Sequence, residues 1–181
     1  MVDLALLQSV SYIAGALGVC VAAFYYVFNM REQSKTRRIT QTNNLMQTLL
    51  TVESNKIGGE LLYMKWENYD DFEKKYGSDV NMDNWAKRVS LFYTYDTLGN
   101  LLKSGLADVE TLYSVGTIIT AVWLWVKFKP IIEESRRRYS GKDGYAGFEY
   151  LATKMMEMKS RRDPLYKIPE TGMAYVPDLG S

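Results

Sequence analysis

The chain has 181 residues, with 22 lysine and arginine residues against 21 aspartate and glutamate residues, no histidine and one cysteine. This near-neutral balance gives no bulk attraction to nucleic acid, so we expect no nucleic-acid partner. The lack of histidine excludes histidine-ligated metal sites, Ser-His-Asp triads and Cys-His dyads within this sequence. A single cysteine excludes an intrachain disulfide.

The first predicted element is an apolar segment, residues 4–28, which lies in a stretch without charge between Asp3 and Arg31. As an α-helix it would be about 37 Å long, against a bilayer core of about 30 Å. It therefore predicts a single transmembrane helix, with the lipid bilayer as its partner. A cleaved signal peptide would need a basic start and a shorter apolar run. Lipidation of Cys20 would need a small residue where Val19 stands.

The charges that flank this segment predict its orientation in the membrane. Asp3 precedes it, whereas Arg31, Lys35, Arg37 and Arg38 follow shortly after it. Lysine and arginine are retained on the cytoplasmic side of a membrane. We therefore expect a single-pass protein of the cell membrane, with its N-terminus outside and its remaining chain in the cytoplasm.

Small residues recur at helical spacing within the apolar segment and form a candidate helix-association face. They are Ser11, Ala14, Gly15, Gly18 and Ala22. Such faces let transmembrane helices approach one another closely. This predicts self-association or docking on another membrane protein. Glycine and alanine are also common in membrane helices without that role, and the sequence leaves both interpretations open.

After the anchor, apolar residues repeat at helical spacing and predict four or five further helices. These helices are expected at about 31–55, 60–76, 85–104, 109–139 and 145–162. Gly58 and Gly59 are expected to interrupt or bend the chain. Asp108 is expected to cap the long fourth helix, and Pro130 to kink or break it.

An alternating polar segment precedes the third of these helices. Asp79, Asn81 and Asp83 are spaced as at the start of a calcium loop. Such a loop also needs a glycine where Asn84 stands and a glutamate where Ser90 stands. The segment therefore favours a turn, with Asp83 or Asn84 as the N-cap of the helix.

Residues 111–126 carry no charge and raise the question of a second membrane span. The stretch is short for a span, and a second crossing would place the basic residues 136–138 outside. We therefore expect a buried core helix. Lys127 and Lys129 alternate with aromatic residues, which could form a membrane-surface or nucleic-acid patch. The favoured interpretation places the aromatic residues inward and the lysine stems outward.

Asp96 lies among apolar residues on the third predicted helix and forms a candidate buried polar site. A buried carboxylate is costly unless it is paired. We expect a cation from another helix nearby, either Arg136 or Lys103. A hydrogen bond to Tyr93 or Tyr113 is the alternative. Asp96 with Arg136 could serve as an internal structural pair or as a polar site in a groove.

The end of the chain differs from the helical body. Residues 163–181 contain Pro164, Pro169 and Pro177 and predict an extended tail. The whole chain thus predicts an all-α protein. Its expected parts are a transmembrane anchor at 1–30, a cytoplasmic four- to five-helix soluble bundle at 31–162, and the tail at 163–181.

Several sequence segments, taken in order, resemble a known family. They are LLQSVSYIAGALGVCVAAFYYV, WENYDDFEKKYG, YDTLGNLLKSGLAD, KPIIEESRRR and FEYL. Together they resemble the uncharacterised, membrane-anchored family called domain of unknown function 4760, which is common in archaea and bacteria. The resemblance extends to about Arg162, and glutamate is more usual in that family where this chain has Asp96. It implies a single-pass anchor and a helical domain, and it implies no activity.

The functional expectation combines the anchor with the helical body. We expect a non-enzymatic, membrane-tethered interaction or scaffold module, which recruits another protein or self-associates. It is expected to have no catalytic residues, no metal site and no cofactor. One alternative is a small accessory subunit of a larger integral membrane complex, docked through its transmembrane helix. A membrane-associated enzyme is the third possible function.

Overall fold

The computed structural model describes residues 4–139 and 141–168. All regular secondary structure in these residues is helical. The α-helices are α1 Leu4–Leu49, α2 Val52–Leu62, α3 Tyr69–Tyr76, α4 Met82–Lys103, α5 Val109–Ser114, α6 Ile119–Tyr139 and α7 Ala146–Arg162. A short 3-10 helix, Gly116–Ile118, lies between α5 and α6. The described part of the chain contains no strand, so the all-α prediction is confirmed.

The chain divides into two compact units, Met1–Thr40 and Gln41–Ser181. The first unit consists of the N-terminal part of α1. In the described residues, α1 is the one helix that is long and apolar enough to cross a membrane, over Gln8–Leu49, and its most apolar window is 0% buried. Large apolar side chains stand exposed there, such as Phe24 at 78% and Val19 at 71%. The predicted candidate span is therefore present as one continuous helix.

The second unit is a helical bundle with α4 and α7 at its centre. α4 and α7 have the most extensive contact with each other, and α6 also packs against α7. Phe128 of α6 has a ring centroid 5.0 Å from that of Trp66 and 5.1 Å from that of Phe92. Phe148 of α7 stacks on Tyr95 of α4, with centroids 5.2 Å apart. Aromatic side chains thus join α4, α6 and α7 into one core.

The crossing of α4 and α7 depends on two glycines that face each other. A Cβ atom on Gly99 would lie 1.7 Å from the carbonyl oxygen of Gly147. A Cβ atom on Gly147 would lie 2.2 Å from the carbonyl oxygen of Asp96. Only glycine permits such close backbone contact, so these positions set the distance between the two helices.

α1 and α2 have other bounds than predicted. α1 ends at Leu49, and Thr51 caps α2 by accepting a hydrogen bond from the amide of Ser54 at 3.1 Å. The predicted interruption at Gly58 and Gly59 is wrong, because both residues lie inside α2. α2 is also stabilised by this side-chain cap, which satisfies an amide at its N-terminus.

The helix predicted at 60–76 is two helices in the structure. The chain leaves α2 after Leu62, and Asn68 caps α3 by accepting a hydrogen bond from the amide of Asp71 at 3.0 Å. Between them, Met64 and Trp66 are 5% and 4% exposed. Burial of these two side chains holds the connection against the core.

The caps of the later helices agree with the sequence in part. Asp108 caps α5, as predicted, by accepting a hydrogen bond from the amide of Thr111 at 2.8 Å. Asn81 caps α4 instead of Asp83 or Asn84, and it accepts a hydrogen bond from the amide of Asn84 at 3.1 Å. A local side chain three residues before the amide makes the bond in each case.

The long helix predicted at 109–139 is divided by the 3-10 helix, and α6 then continues through Pro130. The predicted break at this residue is therefore wrong. Proline removes one backbone hydrogen bond from a helix, but the neighbouring Phe128, Ile131 and Ile132 are buried. Their packing maintains the helix past the proline.

The described start of the predicted tail lies against the second unit. The indole Nε1 of Trp123 donates a hydrogen bond to the hydroxyl of Tyr166 at 2.9 Å. Ile168 packs on the hydrophobic core. Residues 169–181 lie outside the described residues.

Candidate functional site

A cleft of about 350 Å³ lies in the second unit between α3, α4, α6 and the loop before α7. Its walls combine aromatic rings with a few polar groups. The residues that matter here are Tyr69, Glu73, Trp85, Arg88, Phe92, Ser135, Arg136, Tyr139 and Tyr145. A volume of this size is typical of small-molecule sites. We call this the Arg88 cleft, after the most buried of its charged side chains.

Arg88 projects from α4 and is 7% exposed. Its NH1 atom donates hydrogen bonds to the carbonyl oxygen of Tyr76 and to Oδ1 of Asn84, each at 3.3 Å. Its guanidinium lies 4.5 Å from the centroid of the Phe72 ring. Burial lowers the pKa of Arg88, but a guanidinium keeps its proton in proteins. No carboxylate of the described residues lies within ion-pair distance, so a buried positive charge lines the cleft.

Arg136 projects from α6 into the other side of the cleft. Its Nε donates a hydrogen bond to the carbonyl oxygen of Gly144 at 2.8 Å, and its NH1 donates to Oε2 of Glu149 at 2.9 Å. These bonds connect α6 to the loop before α7 and to α7 itself. The NH2 atom is buried without a hydrogen-bond partner in the described part of the chain.

Two tyrosines complete the polar wall. Burial raises the pKa of Tyr69, whose hydroxyl interacts with Ser135. Burial also raises the pKa of Tyr145 to about 12. Both hydroxyls are therefore neutral donors and acceptors at physiological pH. Tyr145 has a left-handed backbone, with φ 59° and ψ 30°, directly before α7. This conformation is rare for a residue with a side chain.

The cleft offers guanidinium and hydroxyl donors beside aromatic rings. Among residues 4–139 and 141–168, no group of three or more acidic or cysteine side chains could hold a metal ion. The arrangement is suited to recognise a negatively charged group next to an apolar or aromatic one.

Asp96 lies beside this region on α4, half-buried. Its Oδ1 accepts a hydrogen bond from the backbone amide of Phe148 at 3.0 Å, and its Oδ2 accepts one from Asn100 at 3.0 Å. The carboxylate therefore caps the N-terminus of α7. Arg136 has the separate partners given above, so the structure does not bring the predicted pair, Asp96 and Arg136, together.

The other expected partners of Asp96 also make different contacts. The ring of Tyr93 lies 5.4 Å from that of Tyr145, between centroids. Tyr113 lies under the guanidinium of Arg162, 4.7 Å from the ring centroid. In the described residues, Lys103 makes no ion pair with Asp96. Asp96 does find an internal hydrogen-bond partner, but that partner is a backbone amide.

Lys127 on α6 is 0% exposed, so the expectation that its stem points outward is wrong. Its Nζ donates hydrogen bonds to the carbonyl oxygens of Leu62 at 2.6 Å and Met64 at 2.8 Å. Burial lowers its pKa to about 8. A cation at the C-terminus of a helix is favourable, and Lys127 occupies that place at α2. Lys129 is exposed and pairs with Glu133 at 3.7 Å.

Residues 12–155 match the family model described as Domain of unknown function (DUF4760). The chain belongs to this family. The match runs from α1 into α7 and includes every helix that lines the Arg88 cleft. No curated protein and no solved structure matches the chain.

The small-residue face of this family member lies in the first unit. Ser11, Ala14, Gly15, Gly18 and Ala22 are all exposed on α1. A Cβ atom on Gly15 or Gly18 would meet nothing within 4 Å. The association role of this face stays a prediction.

Sequence reasoning missed Arg88, although a signal was present. Trp85, Val89 and Phe92 mark the apolar stripe of α4, and Arg88 lies on the same stripe by its spacing. An arginine on an apolar stripe is rarely buried without a reason. That position could have been selected as a candidate site beside Asp96.

Proposed function

We propose that this protein is a membrane-tethered helical interaction module. In this proposal α1 anchors the chain in the cell membrane, and the second unit binds its partner in the cytoplasm. The observation that carries the proposal is the exposure of the apolar side chains of α1. Burying apolar surface is favourable by about 25 cal/mol per Å², and a bilayer core supplies the required apolar surroundings.

The proposed orientation has separate support. Basic residues cluster directly after the apolar segment, at Arg31, Lys35 and Arg37, whereas Glu32 is the one acidic residue between them. By the positive-inside rule, this cluster supports the proposal that the second unit lies in the cytoplasm.

The chain's own cysteine content allows a direct test of both points. In a Cys20→Ser background, Ser104→Cys places a single thiol at an exposed position of the second unit. We expect this protein to stay in membranes after an alkaline wash. We also expect its thiol to react with a membrane-impermeant reagent after detergent permeabilisation and not in intact cells. Release by the wash would contradict the anchor, and labelling in intact cells would contradict the orientation.

A second experiment, which replaces the transmembrane helix, distinguishes the interaction module from an accessory subunit. Residues 4–28 are replaced by an unrelated transmembrane helix, and both proteins are crosslinked in native membranes. A module keeps its crosslinked partner after the exchange, because the second unit makes the contact. A subunit that docks through its transmembrane helix loses the partner, which would contradict the proposal.

A further inference from the structure

The Arg88 cleft has an unbalanced charge at its centre. Arg88 is buried and has no ion pair in the described residues, and only its NH1 atom makes hydrogen bonds there. A buried charge is costly unless it is paired and fully hydrogen-bonded. The remaining donors of Arg88 therefore favour an anion in the cleft.

The second guanidinium adds to this preference. Arg136 uses Nε and NH1 for Gly144 and Glu149, and its buried NH2 has no partner in the described residues. A buried donor without a partner is destabilising. Glu149 offsets the charge of Arg136 at 2.9 Å, so Arg136 adds an unpaired donor and not a second net charge. Donors from two guanidiniums match the several oxygens of a phosphate monoester better than a single carboxylate.

One carboxylate in the lining opposes the charge of Arg88. Glu73 borders the cleft. Its Oε2 lies beside Gly77, at 3.2 Å from the place a Cβ would occupy there, and it makes no ion pair with Arg88. The positive field at Arg88 is thus reduced by Glu73 but not neutralised by contact.

The aromatic wall indicates what else the ligand carries. Trp85 precedes Arg88 by three residues on α4, so the two side chains lie on one face of the helix. Trp85 is 37% exposed at the cleft, and the ring of Tyr145 borders the same space. Flat rings stack favourably on such side chains. A volume of about 350 Å³ accommodates a small molecule and excludes a folded partner.

We propose that the Arg88 cleft binds a small molecule that carries a phosphate monoester on an aromatic ring system, which is the chemistry of a mononucleotide. Its phosphate contacts Arg88 and Arg136, and its ring lies against Trp85 or Tyr145. This site does not depend on the membrane tether, so it can be tested separately from the proposed function.

The test uses the full chain in nanodiscs of neutral phosphatidylcholine and isothermal titration calorimetry. The probes are the 5′-monophosphates of adenosine, guanosine, cytidine and uridine, with adenosine, inorganic phosphate and glycerol 3-phosphate as comparisons. We expect saturable binding of at least one mononucleotide. We expect adenosine and inorganic phosphate to bind at least about tenfold more weakly, because adenosine lacks the phosphate and inorganic phosphate lacks the ring.

Three variants locate the binding. Arg88→Lys keeps the charge but removes the planar guanidinium, and it should lower the affinity for the tightest-binding mononucleotide by about tenfold or more. Trp85→Leu, at a partly exposed position, should lower the same affinity. This second variant keeps the test valid if Arg88→Lys does not fold. Arg137→Gln is the matched control, because Arg137 is exposed and does not line the cleft. Its affinity should equal that of the wild type.

Several outcomes would overturn the proposal. The first is no saturable binding of any of the four mononucleotides. The second is equal weakening by Arg137→Gln and Arg88→Lys, which would show unspecific attraction to surface charge. The third is equal affinity for glycerol 3-phosphate and the nucleotides, which would assign the cleft to a lipid headgroup phosphate without a ring.

Discussion

The carboxylate of Asp96 on α4 caps α7, because it accepts a hydrogen bond at 3.0 Å from the amide of Phe148, the third residue of α7. The residue directly before α7, Tyr145, provides no side-chain cap. A negative charge at a helix N-terminus satisfies a free amide and complements the helix dipole. Asp96 therefore supplies from another helix what the local sequence lacks.

Removing this cap should lower the stability of the second unit. We expect Asp96→Ala to lower the free energy of unfolding by about 1–2 kcal/mol, measured by chemical denaturation. Asp96→Asn should retain most of the stability, since asparagine caps helices about as well as aspartate. Thr97→Ala, at the exposed neighbouring position on α4, is the control and should change little. An Asp96→Ala protein as stable as the wild type would contradict the capping role.

The close crossing of α4 and α7 leads to a second prediction. In Gly99→Ala the new Cβ would overlap the backbone of Gly147, so the helices must separate. We expect a loss of about 3 kcal/mol or more in the free energy of unfolding. Gly59→Ala is the matched control inside α2, where nothing lies within 4 Å of the new Cβ. It should be neutral or stabilising by up to about 1 kcal/mol, because alanine favours helix.

Lys127 predicts a specific dependence of stability on pH. Burial lowers its pKa to about 8, below the ordinary value of 10.5. Between these two pH values the unfolded chain holds more protons than the folded protein, so stability rises with pH. Compared with Lys127→Met, the wild type should gain on the order of 3 kcal/mol from pH 8 to pH 10.5.

The measurement for Lys127 is chemical denaturation at several pH values, with the variant subtracted from the wild type. Lys129→Met, at the exposed neighbouring lysine, should leave the wild-type rise in place, because Lys127 is still present. A difference between wild type and Lys127→Met that stays constant from pH 8 to pH 10.5 would show that the folded protein does not lower this pKa.

The small-residue face of α1 provides the fourth prediction. Gly18→Ile places a branched side chain on the predicted association face, and it should prevent close approach of two anchors. The measurement is energy transfer between labelled copies in bilayers, with Ala16→Ile, on the opposite side of α1, as the control. If Gly18→Ile shows the wild-type association, as Ala16→Ile should, the face has no role in it.

The sequence predicted the elements that depend on local patterns. The apolar run of α1, the stripes of α4 and α7 and the cap at Asp108 all follow from residues close together in the chain. The divisions between α2 and α3, and between α5 and α6, were not predicted. The division between α2 and α3 depends on the burial of Met64 and Trp66 in the core, with Asn68 as a local cap of α3.

The sequence by itself determined an all-α chain without histidine, with one apolar helix suited to a membrane and a helical body behind it. Only the tertiary structure decided the partners of the buried charges. Asp96, expected to meet a cation, caps α7, and Lys127, expected to face water, lies at the C-terminal end of α2. A buried charged side chain pairs with the group that the neighbouring helix presents. Helix crossings such as that of Gly99 on Gly147 are set by packing between distant parts of the chain. The same packing places Arg88 and Arg136 in one cleft.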